Sequence, residues 1–337
     1  MTVRERIPFS ELTTFKTGGP ARYLADCESE NDVREALAFA RARRLPYVVI
    51  GDGSNLLASD EGYEGVVIRM RIGGISFSPK DADAVLMEAG AGVPWETAVE
   101  EAALRGLWGI ENMAGIPGTV GAAPVQNIGA YGTELETSFV YADVLDADTD
   151  TVARLAKEDC GFGYRESRFK RERNLIILSV ALLLSPTGAP QTSYSDLARL
   201  YEAGEPLATP GEIGNAVRRV RAGKFPDLRQ SGTAGSFFKN PIVSEDAYAA
   251  LVVRYGDIPR YPAAGGVKIP LAFVLDRALG LKGHRQGAVH LFGNQPLVIV
   301  ADDDARTRDI DALANEIAKR VHDATGIAIE REVRSIP

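Results

Sequence analysis

The chain has 337 residues, 45% hydrophobic and 25% charged, and carries a net charge of −8. That composition belongs to a soluble globular protein long enough for two or three domains, each burying its own core. The negative charge excludes a general field for nucleic acid, so an anionic ligand has to be met by locally placed Lys, Arg or backbone donors.

In chain order, the opening M-T-V-R-E-R-I-P-F-S has no apolar core of the kind a signal peptide needs. A-R-Y-L-A-D from Ala21 predicts a short strand. Asn31 predicts a cap for a helix over 32–44, with Val33, Ala36, Leu37 and Ala40 on one face and an acidic start and basic end that suit its dipole. P-Y-V-V-I at 46–50 and V-V-I-R-M at 66–70 read as strands, with G-D-G-S-N-L-L at 51–57 as a glycine turn between them. A strand at 84–89, a helix at 93–104 and a strand at 139–145 follow. The apolar run Leu175 to Leu184 is about half the ~20 residues a membrane helix requires, and predicts a buried strand. Beyond it the pattern predicts helices at 193–202 and 210–223, a linker at 224–227, and helices at 244–255 and 270–279. A strand at 297–300, a long helix from Asp303 to about Thr325 capped by Asp302 to Asp304, and a closing strand at 327–334 complete the chain. Cys27 and Cys160, far apart in sequence, make neither a disulfide framework nor a metal site.

Gly109 to Gly132 holds six glycines, at 109, 115, 118, 121, 129 and 132, with small neighbours and almost no charge. Such a stretch brings backbone N–H groups close to something large rather than building core. Neither of the two Gly-x-Gly pairs that precede it supports a Rossmann site. Gly51-x-Gly53 has Leu56 at its sixth position, Gly90-x-Gly92 has Trp95, and no G-x-x-x-x-G-K-[ST] is present, which removes a P-loop as well.

Six blocks occur in order: T-F-K-T-G-G at 14–19, G-D-G-S-N-L-L at 51–57, I-P-G-T-V-G-A-A-P-V-Q-N-I-G-A-Y-G at 116–132, Y-R-E-S-R-F-K at 164–170, A-G-S-F-F-K-N-P at 234–241 and E-R-E-V-R at 330–334. Together they resemble the UDP-N-acetylenolpyruvoylglucosamine reductase (UDP-N-acetylmuramate dehydrogenase) family, flavoenzymes of peptidoglycan precursor synthesis. The resemblance implies a mixed α/β and α+β fold, with a two-part FAD-binding region of the vanillyl-alcohol oxidase and p-cresol methylhydroxylase type plus an α/β substrate-binding domain. The boundaries expected are 1–73, with 326–337 returning to it, then 74–224, then 225–325.

The implied FAD contacts are Gly51, Asp52, Gly53, Ser54, Asn55, Ile116, Pro117, Gly118, Thr119, Gly121 and Ala122. The only histidines, His284, His290 and His322, lie outside the FAD region, and buried structural thiols are the commoner fate of Cys27 and Cys160, so FAD is expected to be noncovalent. NADPH is the implied hydride donor and an enolpyruvyl nucleotide sugar the acceptor. Arg165 would hold the substrate carboxylate as a bidentate fork, Ser236 would give a proton to the α-carbon with Gly235 and an adjacent helix start stabilising the alkoxide, and Glu332 would assist near the carboxylate. Choosing Glu332 over Glu330 rests on the motif alone. Tyr164, Tyr194, Lys224, Asn240, Tyr261 and Lys268 are implied around the diphosphate and sugar, whereas H-L-F-G-N-Q-P-L at 290–297 is longer than the family pattern and Gln295 is not carried over.

Outside the motifs each residue has an ordinary reading: Arg165 an ion pair, Glu332 a solvated strand face, Ser236 a turn or cap serine. Two other functions stay open at this level, another FAD-dependent oxidase or dehydrogenase of the same fold, and a nucleotide-sugar binding protein without catalysis. The expected protein is cytoplasmic, monomeric, and engages neither membrane nor nucleic acid.

Overall fold

The computed structural model describes residues 1–337. They divide into two compact units, Met1–Ile7 with Ala21–Asp52 and Glu64–Arg221, and Pro8–Pro20 with Gly53–Tyr63 and Ala222–Pro337. Each has its own hydrophobic core.

The first unit contains two sheets. One runs in the order Thr2–Pro8, Pro20–Cys27, Tyr63–Met70, Tyr47–Ile50, its last two strands parallel. The helix Glu30–Arg43 buries Val33, Ala36, Leu37 and Ala40, as its spacing predicts. Its cap is Ser29 rather than Asn31. The Ser29 hydroxyl accepts the Asp32 N–H at 3.2 Å, while the Asp32 carboxylate accepts from the Glu28 N–H and the Ser29 hydroxyl. This reciprocal pair satisfies the Asp32 N–H of the first turn and the Glu28 N–H just before the cap, and Asn31, already inside the helix, bonds Glu35 instead.

The second sheet is antiparallel throughout, in the order Thr151–Ala156, Phe139–Asp146, Leu175–Leu184, Val85–Gly90, Ile75–Pro79. Leu175–Leu184 lies at its centre with most side chains buried, which is why the run is apolar at nearly every position. Its one polar residue, Ser179, stands opposite Asp143 and donates to that carboxylate at 3.0 Å. The helix predicted from residue 93 begins at Trp95, because Val93 and Pro94 are drawn into pairing with the glycine stretch. There the Trp95 N–H bonds Gly118 O at 2.9 Å, Val120 N–H bonds Val93 O at 2.8 Å and Gly121 N–H bonds Ala91 O at 2.9 Å.

In the second unit the helix Thr307–Thr325 turns Ile310, Leu313, Ala314, Ile317 and Val321 into the core. Its acidic cap is not Asp302 to Asp304. The N–H groups of Thr307 and Arg308 donate to the Asp60 carboxylate at 2.8 and 3.0 Å, from a residue almost 250 positions earlier, while Asp302 pairs with Arg285. The helix predicted over 270–279 is a single turn, Leu271–Phe273, running into a π-helical stretch, Val274–Ala278. Two small antiparallel sheets complete the unit, Ile242–Val243, Gly266–Lys268, Tyr261–Ala263 in one and Arg285–Gln286, Val289–Leu291, Ile299–Ala301 in the other. The closing strand forms later than predicted, at Arg334–Ile336, and lies parallel to Leu56–Ala58. No helix is long and apolar enough to cross a membrane.

Candidate active site

In the first unit, Tyr164 and Arg165 are the two central residues of a tight turn closed by paired Gly163 and Glu166 backbone bonds of 3.0 and 3.1 Å. Arg165 has φ 54°, a left-handed conformation unfavourable for a side chain of its size, and its Nη2 donates to Gly129 O at 2.9 Å. The turn is tied to the glycine stretch at two more points. Ser167 Oγ donates to Val125 O at 2.7 Å, and the fully buried Asn127 donates to Gly163 O at 3.2 Å while accepting the Glu136 N–H. Arg165, Asn127 and Tyr131 are three of seven non-glycine residues with positive φ. Such strain persists only where surrounding bonds over-determine the backbone, which these do. Tyr194 stands at the start of the helix Ser195–Glu202 with its ring edge-on to Tyr131 at 5.2 Å.

Gly115, at the entry to I-P-G-T-V-G, is clamped from both sides. Its N–H bonds the Glu96 carboxylate, itself paired with Arg218, and its carbonyl accepts Arg221 Nε at 2.9 Å. Burial lowers the Arg221 pKa from the usual guanidinium value. Beside this loop Gly51 packs on Thr119: a Cβ at Gly51 would overlap the Thr119 hydroxyl. The Asp52 carboxylate is met by Arg71 at 3.0 Å.

In the second unit Ser236 and Glu332 are brought onto adjacent backbone segments. Phe238 pairs with Arg331, Glu332 N–H bonds Phe237 O at 2.8 Å, and on the other side Ser236 bridges Val298 while Phe237 N–H bonds Leu297 O at 2.8 Å. Ser236 therefore sits in extended chain, and the next helix in sequence begins only at Glu245. Glu330 is a different kind of residue from Glu332: its side chain is 74% exposed and its carboxylate pairs with Lys239 at 2.9 Å. Lys268 stands directly opposite both Tyr261 and Ile242. Asn240 accepts the Leu271 N–H at 2.9 Å just beyond that strand, so three of the expected substrate residues share one corner. Lys224 is the last residue of the helix Pro210–Lys224.

Three buried side-chain oxygens have no hydrogen-bond partner within the protein: those of Thr14, Thr119 and Asn112. Orphaned hydroxyls cost free energy unless something else satisfies them. Thr119 is itself an expected FAD contact, and Thr14, which is not, donates its backbone N–H at 3.2 Å to the carbonyl of Gly53, which is. Gly53, at φ 65°, presses so closely on the chain before Thr14 that a Cβ would collide with the Leu12 carbonyl. Glycine backbone and unsatisfied hydroxyl donors are the groups a pyrophosphate and an isoalloxazine require, and the residues present fit that cofactor. Thr14 and Asn127 were not singled out from sequence. Each lies in a quoted block, but no local pattern distinguishes a bonded threonine or asparagine from a solvated one. Cys27 and Cys160 are both buried, and burial pushes their thiols up to about 12.

Comparison with known proteins accounts for these features together. Residues 21–154 match the family model described as FAD binding domain, and residues 227–336 match that of the UDP-N-acetylenolpyruvoylglucosamine reductase C-terminal domain. UDP-N-acetylenolpyruvoylglucosamine reductase of Pseudomonas aeruginosa is 39% identical over 98% of both chains, and that of Escherichia coli K12 is 37% identical over 96% of this chain and 94% of its own. The crystal structure of the Thermus caldophilus enzyme superposes with a TM-score of 0.69 at 27% identity over the full length of both chains. With glycine loops and orphaned hydroxyls suited to FAD followed by the matched C-terminal unit, the chain belongs to the UDP-N-acetylenolpyruvoylglucosamine reductase family.

Proposed function

We propose that this FAD-dependent oxidoreductase uses NADPH to reduce the enolpyruvyl group of UDP-N-acetylglucosamine enolpyruvate to UDP-N-acetylmuramate, with Arg165, Ser236 and Glu332 as its catalytic residues. The observation that supports the residue roles most is the web that holds Ser236 and Glu332 on neighbouring segments, Glu332 N–H to Phe237 O on one side and the Ser236 to Val298 bridge on the other. FAD, when bound, would supply the hydride-transfer chemistry between NADPH and the methylene carbon of the substrate.

Addition at that carbon moves an electron pair onto the α-carbon and into its carboxylate. The Arg165 guanidinium pairs with the carboxylate and stabilises the added charge, its aim set by the strained turn and the bond to Gly129 O. Ser236 Oγ–H passes its proton to the α-carbon, and the resulting alkoxide recovers a proton from solvent. Glu332 assists at the carboxylate end. In the second unit Asn240, Tyr261 and Lys268, with Lys224, meet the sugar and diphosphate, where local lysines offset the overall negative charge. Thr14, Thr119 and the backbone around Gly51 to Asn55 and Ile116 to Ala122 hold FAD without a covalent bond. The same reading has the enzyme acting in the cytoplasm as a monomer.

Anaerobic half-reactions test this. The purified protein is expected to be yellow, to bleach with NADPH, and to regain colour with the enolpyruvyl nucleotide sugar. Ser236→Ala is expected to bleach normally and recover ~10²–10⁴-fold more slowly, the usual contribution of a positioned acid. Equal slowing of both steps would remove Ser236 from its role, and failure of the wild type to recover colour would remove the substrate.

A further inference from the structure

Asn55 ends the turn Gly51 to Asn55, and by resemblance it is a cofactor contact. In the structure its side-chain amide is also engaged elsewhere in the chain. Asn55 Nδ2 donates to the carbonyl of Glu332 at 3.1 Å, across 277 residues of sequence, and the Asn55 carbonyl accepts the Arg334 N–H at 3.1 Å. These two bonds open the parallel ladder in which Arg334 pairs with Leu56, Ser335 with Leu57 and Ile336 with Ala58.

The consequence falls on Glu332. Its N–H is held by Phe237 O at 2.8 Å, on the segment that carries Ser236, and its carbonyl is held by Asn55. Both peptide units flanking the Glu332 Cα are therefore pinned, one to the strand of the proposed proton donor and the other to the residue that closes the cofactor turn. Neighbouring Arg331 is anchored separately, to Asp311 and Asn315 on the long helix. Without the amide of Asn55 the Glu332 carbonyl loses that donor at the point where the chain leaves Ser236 and enters the ladder. A shift of about 1 Å in a reacting group can cost ~10²-fold in rate.

We propose that Asn55 is a positioning residue: its side-chain amide sets the placement of Glu332 relative to Ser236, and so acts on the substrate-reducing half-reaction. The inference rests on the role given to Glu332 above. An amide suits the task because it presents an N–H donor at the length needed. An ionised aspartate has the same shape but only acceptors, and would face the Glu332 carbonyl with an oxygen, whereas a protonated aspartic acid regains a donor.

The test uses the full-length FAD-loaded protein and three variants, Asn55→Asp, Asn55→Ser and Glu332→Gln. Anaerobic stopped flow follows bleaching by NADPH and recovery with the enolpyruvyl nucleotide sugar, and flavin fluorescence gives FAD affinity. Glu332→Gln is expected to slow recovery. Asn55→Asp at pH 8 is expected to reduce the recovery rate at least tenfold more than it reduces the bleaching rate. Its recovery rate, taken as a ratio to wild type at each pH, is expected to rise as pH falls and the new carboxyl takes up a proton. Should Asn55→Asp fail to fold, Asn55→Ser, whose hydroxyl is too short to reach the carbonyl, is expected to show the same unequal slowing. Equal slowing of both half-reactions, a loss confined to FAD affinity, or a flat pH ratio would overturn the positioning role while leaving Glu332 in place. Normal recovery in Glu332→Gln would overturn the role of Glu332 itself, and the inference with it.

Discussion

Glu111, within the glycine stretch, is a charged side chain in a buried place: it is 4% exposed, and its carboxylate accepts the Gly109 N–H at 2.6 Å. Burial raises its pKa above the ordinary glutamate value, and the backbone donors around it only partly oppose that. A carboxyl with a raised folded-state pKa binds its proton more tightly when folded. Its contribution to stability is full below the unfolded pKa and is lost as pH rises through the folded one. Glu111→Gln removes that dependence. Whatever fixed cost the amide carries, the thermal midpoint of Glu111→Gln minus that of wild type is expected to grow between pH 4 and pH 8. A difference that stays constant or shrinks would contradict the assignment. At Gly53 the constraint is steric. Alanine there would need φ 65° and would meet the Leu12 carbonyl, and is expected to cost ~1–3 kcal/mol or more. Alanine at Gly73, where an added Cβ meets nothing, should stay within about 0.5 kcal/mol in urea denaturation. The choice between Glu330 and Glu332 shows where residue-level reading runs out. Strand alternation puts both on one face, yet the regular ladder starts only at Arg334, so period-two logic does not reach either of them.

The elements most legible in sequence were those whose pattern matched their burial. Leu175–Leu184 is apolar at all but Ser179 because most of its side chains are buried, and Thr307–Thr325 repeats apolar residues at helical spacing because one face is core. Thr2–Pro8 left no such mark: it is an edge strand, largely exposed and rich in charge. The cap of Thr307–Thr325 was illegible for another reason. Its acid, Asp60, comes from a distant segment, whereas the three aspartates preceding the helix in sequence do not supply it. Removing the carboxylate with Asp60→Ala leaves two N–H donors of the helix unsatisfied and is expected to cost ~1–2 kcal/mol in chemical denaturation, with Asp60→Asn intermediate. No change in Asp60→Ala would mean that solvent caps the helix equally well.

At the scale of the molecule, the second unit is assembled from three stretches of chain, 8–20, 53–63 and 222–337. The C-terminal piece alone lacks the Asp60 cap, the Leu56–Ala58 partner of its last strand, and the Thr14 carbonyl that accepts the Thr233 N–H. A fragment of residues 222–337 is therefore expected to show poorly dispersed amide resonances, and a cooperative thermal transition in it would refute that. FAD should stabilise the whole protein by mass action, about 2.7 kcal/mol at a hundredfold excess over Kd, read as a rise in thermal midpoint on adding FAD to stripped protein. Residue types in fixed short spacing were enough to identify the family blocks, the failure of Rossmann geometry and the run of buried strand, since each depends on neighbours in sequence. The bond from Asn55 to Glu332, the cap from Asp60 to Thr307 and the orphaned hydroxyls of Thr14 and Thr119 were decided only by the folded chain. They join residues hundreds of positions apart or depend on what burial withholds, and no local periodicity encodes which donor will meet which acceptor once the cores have closed.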